Sequence, residues 1–377
     1  MRGFAQQEFE QRTAKAQALM AKHNLAALLL TTEPEVRYFT GYLTRFWESP
    51  TRPWYLVVPA SGKPVAVIPS IGADLMGRSW IDDIRTWSSP DLEDDGVTLL
   101  ADTLSEIVPD GEVGIPDLHE THLRMPLNDM RRLSERVKLT SDFGIIRQLR
   151  MVKSAAEIEK IARACEIAGN AFARVPEIAS AGVPTEAVFR KFQMLCLDEG
   201  ADWVPYLSGA AAQGGYSDVI SPAPETPLAM ADVLMLDTGL VWDGYFSDFD
   251  RNWSIGPASS AVRDAHARLI EASDAAFDIC RPGKTAADLF HAMNDIVSKD
   301  SEDTGAGRLG HGLGMSLTEW PSLIPTDHTV IEAGMVLTLE PGIAIGDRLL
   351  VHEENIVVTE SGPKYLSPRQ APEITEL

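Results

Sequence analysis

The segment 233-VLMLDTGLVWDGYFSDFDRNWSI-255 decides how this chain is read. Asp243-Gly244 sits between two apolar, strand-prone runs. A two-residue type I′ turn needs positive φ at both central positions, and Asp-Gly is one of the few dipeptides that adopts it readily. A turn there folds 233–242 back on 245–255, setting Trp242 opposite Tyr245 and Asp237 opposite Asp250. Side chains alternate along a strand, so Asp248 shares the face of Asp250. Three carboxylates, Asp237, Asp248 and Asp250, therefore crowd one side of a hairpin. Like charges that close repel strongly once water is removed. Arg251 points to the other face in this register and does not neutralise them. A divalent cation does. The bland alternative is a solvated acidic strand face, since acid clusters are also purely structural.

Three later segments add donors. RLGHGLGMSLTEWPS (308–322) places His311 among Gly310, Gly312 and Gly314, which permit close backbone approach. A histidine alone is more often structural than a ligand. GMVLTLEPG (334–342) ends a strand on Glu340, where a carboxylate is unfavourable unless paired or metal-bound. LLVHEENIVVTE (349–360) puts Glu353 inside an apolar strand, facing away from His352 and Glu354. Asp237, Asp248, His311, Glu340 and Glu353 together form a hard, oxygen-rich set, larger than one ion needs. It suits two Mn, Fe, Co or Zn ions sharing carboxylates and a water.

The bulk of the chain agrees with an enzyme. Its 377 residues allow two domains, and 45% hydrophobic content allows a substantial core. A net charge of -22 argues against nucleic acid or an anionic membrane surface as partner. Cys165, Cys196 and Cys280 are far apart and form no CxxC pair, as expected of core thiols in a reducing cytoplasm. The polar start MRGFAQQEFEQR and the lack of any long apolar run lead us to expect no signal peptide and no membrane span.

Residues 1–150 read as an α/β unit. Helical spacing runs from Phe9 to His23, LAALLLTT (25–32) is a buried strand, and 54–60 with 64–70 form a hairpin. A helix is expected at 94–107 and a strand at 112–117. Ser154 with Glu157 makes a capping box that opens a helix over 155–175, so the boundary falls just before it. A helix capped by Thr185 follows at about 185–199, then strands at 233–240 and 245–255. Helices at 259–280 and 285–298 and strands at 335–340 and 350–358 complete an α+β unit, 151–377, antiparallel by its hairpins.

At its five donor positions the chain resembles the pita-bread (M24) metallopeptidases: methionine aminopeptidase, aminopeptidase P and prolidase, with creatinase as a metal-free relative. NLAALLL and VRYFTGY look like the creatinase-type N-terminal domain, and QLRMVKSAAEIEKIARA (148–164) like the lead into the catalytic domain. The eleven-residue step from Asp237 to Asp248, then HGLG, LEPG and Glu353, follow the family's ligand order. The resemblance implies an α+β pita-bread domain behind a creatinase-like one. It implies two divalent ions bridged by Asp248 and Glu353, with Asp237 completing one and His311 with Glu340 the other. It also implies a metal-bridging hydroxide as nucleophile, Glu340 as proton shuttle, a small amide or Xaa-Pro-type dipeptide as substrate, and a homodimer. In such dimers, loops of the first domain reach the neighbouring subunit's site, which here points to Arg45-Phe46-Trp47 and its Pro-rich surroundings.

The chain departs from the family at four places. Prolidase-like sequences carry a second His seven residues after the ligand His, where Thr318 stands, and another before the first Asp, near Ile220 and Ser221. Val351-His352 replaces the usual Arg ahead of the last Glu, and Asp250 replaces a Thr. The two histidines normally hold the substrate carbonyl, and loss of such donors costs on the order of 10²-fold in rate. Thr318 and His352 are candidates for substitute hydrogen bonds, with Trp320 and Tyr206 as pocket aromatics. Asp250 either binds a cationic substrate group or supports a ligand from behind, and ligands usually need such support. The competing function is a non-peptidase of the same fold, a metal-dependent lyase or C–N hydrolase on a small, cationic metabolite. A metal-free binding protein is disfavoured by the complete ligand set.

Overall fold

LAALLL becomes β1 (Leu25–Leu30), a run with almost no exposed surface near the middle of a six-stranded sheet. The computed structural model describes residues 2–48, 53–299 and 307–377. They fall into two units, Met1–Arg150 and Met151–Leu377. In the first, β2 (Tyr55–Pro59) and β3 (Val65–Pro69) form the expected hairpin. β4 (Asp83–Trp87), β5 (Glu112–Ile115) and β6 (Lys138–Ser141) complete a mixed sheet of order β4-β3-β2-β1-β5-β6. β5 lies parallel to β1, which requires a crossover, and the helix Val97–Ile107 contributes Leu100 and Leu104 to the core along it. Trp47 is buried against Trp54. The Pro-rich continuation of its loop, at 49–52, lies outside the described residues.

The second unit opens on the helix Ala155–Ala173, capped as expected: Ser154 Oγ accepts from Glu157 N at 3.3 Å and Glu157 Oε2 from Ser154 N at 3.0 Å. The next helix, Thr185–Asp198, corrects one expectation. Pro184 occupies its cap position, and the Thr185 hydroxyl donates instead to Thr226 O at 3.0 Å. β7 (Trp203–Gln213), not anticipated, pairs with β8 (Asp232–Trp242) continuously from Tyr206 to Gln213. Its Leu-Ser-Gly-Ala-Ala-Ala run has weak strand propensity, and pairing to β8 overrides it. β9 (Tyr245–Phe246) and β10 (Phe249–Ser254) return along β8.

Helices Ser260–Ile279 and Ala286–Val297 pack on each other through Leu269, Ala276, Leu289 and Met293. Their core continues into a second antiparallel sheet. It holds β11 (His311–Gly312), β12 (Glu319–Ser322), β13 (Val336–Leu339), β16 (Glu354–Thr359) and β17 (Gly362–Tyr365). β14 (Gly342–Ile345) and β15 (Arg348–Val351) form a separate hairpin, and β18 (Thr375–Glu376) runs beside β10. The expected strand over 350–358 is broken in two at His352-Glu353. Glu353 therefore sits in a joint between strands rather than inside one. No helix among the described residues is long and apolar enough to cross a membrane.

Candidate metal centre

Asp243 and Gly244 both take positive φ, 47° and 83°, as a type I′ turn demands. Lys160 pins the turn by a buried ion pair to the Asp243 carboxylate. Trp242 then faces Tyr245 and Asp237 faces Asp250. Asn355 holds the backbone of Asp248 on both sides: its Oδ1 accepts from Asp248 N at 2.9 Å, and its Nδ2 donates to Asp248 O. Nothing in the local sequence of either segment announces this clamp, which joins residues 107 positions apart.

His311 is delivered by backbone crowding. A Cβ on Gly310, whose φ is 131°, would lie 2.3 Å from Thr338 O, and one on Gly312 would lie 2.3 Å from Trp320 O. Only glycine lets three chain segments meet here. His311 Nδ1 lies 2.8 Å from the Gly312 carbonyl, which can only accept, so Nδ1 carries the proton. Nε2 is left with its lone pair facing Asp248 Oδ2 at 3.4 Å and Glu353 Oε1 at 4.0 Å. This tautomer is the one a metal-binding imidazole needs. Asp248, His311 and Glu353, all buried, offer ligand atoms within 4.8 Å of one another.

Asp237 and Glu340 stand beside this trio and are less deeply buried. Tyr206 donates to Asp237 Oδ2 at 2.9 Å. Burial first, and then the neighbouring carboxylates Asp248 and Asp250, push the Asp237 carboxyl well above its usual range. Glu353 is pushed up in the same way, by burial and then by Asp248 and Glu340. Burial lifts Glu340 to about 7, against the pull of His311. Asp237 Oδ1 and Glu353 Oε1 are buried with no hydrogen-bond partner among the described residues. Acids that repel one another around a histidine lone pair, with orphaned oxygens, fit a site for divalent cations.

The remaining candidates divide. Asp250 lies within the acid cluster, and its Oδ1 accepts from Glu353 N at 3.0 Å. His352 is 1% exposed and lies between Asp250 Oδ1 at 3.7 Å and Glu354 Oε1 at 3.5 Å. Burial opposes its charge, but the two neighbouring carboxylates outweigh that and raise its pKa. Thr318 Oγ1 accepts from Arg308 Nη2 at 3.1 Å. Arg308 was not anticipated, yet its charge acts on both Asp248 and Glu340. Its position three residues before His311 was the available signal. Trp320 donates its indole N–H to Thr329 at 2.8 Å. Tyr245 is fully buried with its hydroxyl on Glu157, and Trp242 packs under Lys160, so neither lines a pocket at the acid cluster.

These raised pKa values make metal binding a competition with protons. An isolated glutamate in the unfolded chain titrates near 4.5, whereas Glu340 titrates at about 7. Its contribution to stability is therefore present below about pH 4.5 and is lost as pH rises through about 7. Ions replace the displaced protons. For chelator-treated protein, the gain in Tm on adding Mn²⁺ is expected to be clearly larger at pH 7.5 than at pH 5.5. Equal gains by differential scanning fluorimetry would show that the carboxylates are already ionised without metal.

Comparison with known proteins places the whole chain beside described peptidases. The sequence profile of metallopeptidase family M24 matches residues 159–360, and that of the creatinase/prolidase N-terminal domain matches residues 12–152. The chain is 29% identical over 370 residues to the probable dipeptidase PepE of Mycobacterium tuberculosis, covering 96% of this chain and 95% of the relative. It is 32% identical over 229 residues to the Xaa-Pro dipeptidase of Pyrococcus furiosus, covering 59% and 65%. The crystal structure of dipeptidase PepE from Mycobacterium ulcerans superposes with a TM-score of 0.85 at 29% identity, covering 99% of each chain.

Proposed function

Because this chain belongs to metallopeptidase family M24, we propose that it is a two-ion dipeptidase acting on Xaa-Pro-type dipeptides or similarly small amides. The observation that carries this reading is the Asp248–His311–Glu353 cluster, three buried residues whose ligand atoms lie within 4.8 Å of one another. The relatives that cover nearly the whole chain, described as dipeptidases, support the same substrate size. Asp237, Asp248, His311, Glu340 and Glu353 would hold the ions. Bound ions supply Lewis acidity toward the scissile carbonyl and make water nucleophilic near neutral pH.

The protein's own groups do the rest. Glu340, beside His311 and Asp248, would take a proton from the attacking water and return it to the leaving amine. Tyr206 orients Asp237 from one side, and Asn355 holds Asp248 in place from the other. Asp250 supports the backbone of Glu353 with His352 behind it, and Arg308 with Thr318 places a cationic donor on the His311–Glu340 side. Oxygen-dominated ligation favours Mn²⁺ among the candidates, with Co, Zn and Fe as the others. A homodimer completes the reading, in a reducing cytoplasm that suits three free, buried cysteines.

The deciding assay is a dipeptide panel with metal-reconstituted protein. Turnover of Xaa-Pro or other dipeptides that is abolished by chelation supports the reading, and no turnover of any of them sinks it. Thr318→His restores a donor that prolidase-like sequences carry, so kcat on Xaa-Pro substrates is expected to rise, by up to about 10²-fold. No rise would mean that Arg308 already does that work.

A further inference from the structure

Asp250 has one oxygen too many for a merely supporting role. Its Oδ1 accepts from Glu353 N at 3.0 Å and faces His352 Nδ1 at 3.7 Å. Its Oδ2 is buried and has no hydrogen-bond partner among the described residues, although Asp250 as a whole is 1% exposed. A threonine hydroxyl would serve Glu353 N as well as Oδ1 does, so the second oxygen is what aspartate adds. Leaving it unpaired in the protein interior is strongly unfavourable.

The hairpin register says where that oxygen stands. Asp250 is the direct cross-strand partner of Asp237, whose Oδ1 is also buried and unpartnered. Directly opposed side chains on one face lie about 5 Å apart at Cβ, within reach of one shared ion. Glu353 Oε1 is a third orphaned oxygen, and it belongs to the residue whose backbone Asp250 holds.

We propose that Asp250 is itself a ligand of the metal centre through Oδ2, so that six side chains rather than five hold the ions. The added carboxylate makes the centre harder and richer in oxygen, a set that favours Mn²⁺ over softer-preferring Zn²⁺. Oδ1 meanwhile fixes Glu353, so one side chain both binds and positions. This inference rests on the metal-centre reading above.

A crystal structure of the wild-type protein grown with Mn²⁺ tests it directly. The expected result is an ion within about 2.0–2.4 Å of Asp250 Oδ2, an ordinary distance for a divalent cation on carboxylate oxygen. An ion beside Asp248, His311 and Glu353 with Oδ2 more than about 3 Å from every metal overturns Asp250 as a ligand and leaves the centre standing. No ion beside that trio overturns both. Calorimetry gives a second readout. Asp250→Asn keeps an amide oxygen for Glu353 N but loses the charge, and its Mn²⁺ affinity is expected to fall by about 10²-fold or more. A loss of less than about tenfold contradicts the proposal.

Discussion

Asp248→Asn is expected to abolish dipeptidase activity and metal binding while leaving the metal-free protein as stable as the wild type or more so. Asp248 combines three properties: it lies 3.4 Å from the lone pair of His311, it shares a trio with Glu353, and it raises the pKa of Asp237 and Glu353. Asparagine preserves the side-chain shape and both bonds between Asn355 and the backbone of residue 248. It removes one charge from a repelling group, which relieves the metal-free state. Metal assistance is worth several kcal/mol of transition-state stabilisation, so kcat/KM should fall by about 10³-fold or more. A drop in Tm without metal, alongside retained Mn²⁺ binding, would show that the residue is structural. Activity within about tenfold of wild type would remove Asp248 from the centre altogether.

Arg251→Met is expected to cause the largest loss of stability of any single change near the site. The guanidinium is 7% exposed and bonds Glu354 Oε2 at 2.9 Å, Glu353 O at 3.1 Å, Asp250 O at 2.5 Å and Pro368 O. Burial works to raise the pKa of Glu354, but Arg251 and His352 hold it down at about 2. Removing one partner of a buried pair leaves an uncompensated charge and costs about 3–5 kcal/mol. For a domain of this size that corresponds to a fall in Tm on the order of 10 °C or more, read by calorimetry of metal-free protein. A fall of under about 2 °C would mean that water or His352 replaces the arginine without loss. The effect reaches the metal centre as well, because Arg251 holds the carbonyls of both Asp250 and Glu353.

The hairpin was legible because its determinants are local. Asp243-Gly244 sets the turn, strict alternation sets the faces, and the register that opposes Asp237 and Asp250 follows from those two facts alone. The helix from Ala155 was legible for the same reason, since its capping box is contained in four residues. Where local signals are weak, tertiary contacts decide the outcome. β7 was missed because its small residues become a strand only against β8. Thr185 was misplaced as a cap because Thr226, 41 positions away, takes its hydroxyl. Glu353 was expected within a strand, but the chain turns at His352-Glu353 between two different sheets.

What the sequence determined by itself was the donor inventory: which residues could ligate, in what order, and that three of them share a hairpin face. These follow from residue type and from periods of two, which hold wherever the strand lies. Only the tertiary structure decided which donors meet and what stands behind them. The clamp of Asn355 on Asp248, the Arg251–Glu354 pair and the bond from Glu353 N to Asp250 all join segments remote in sequence. Such contacts depend on how sheets pack and on which atoms are left dry, and no local pattern encodes either.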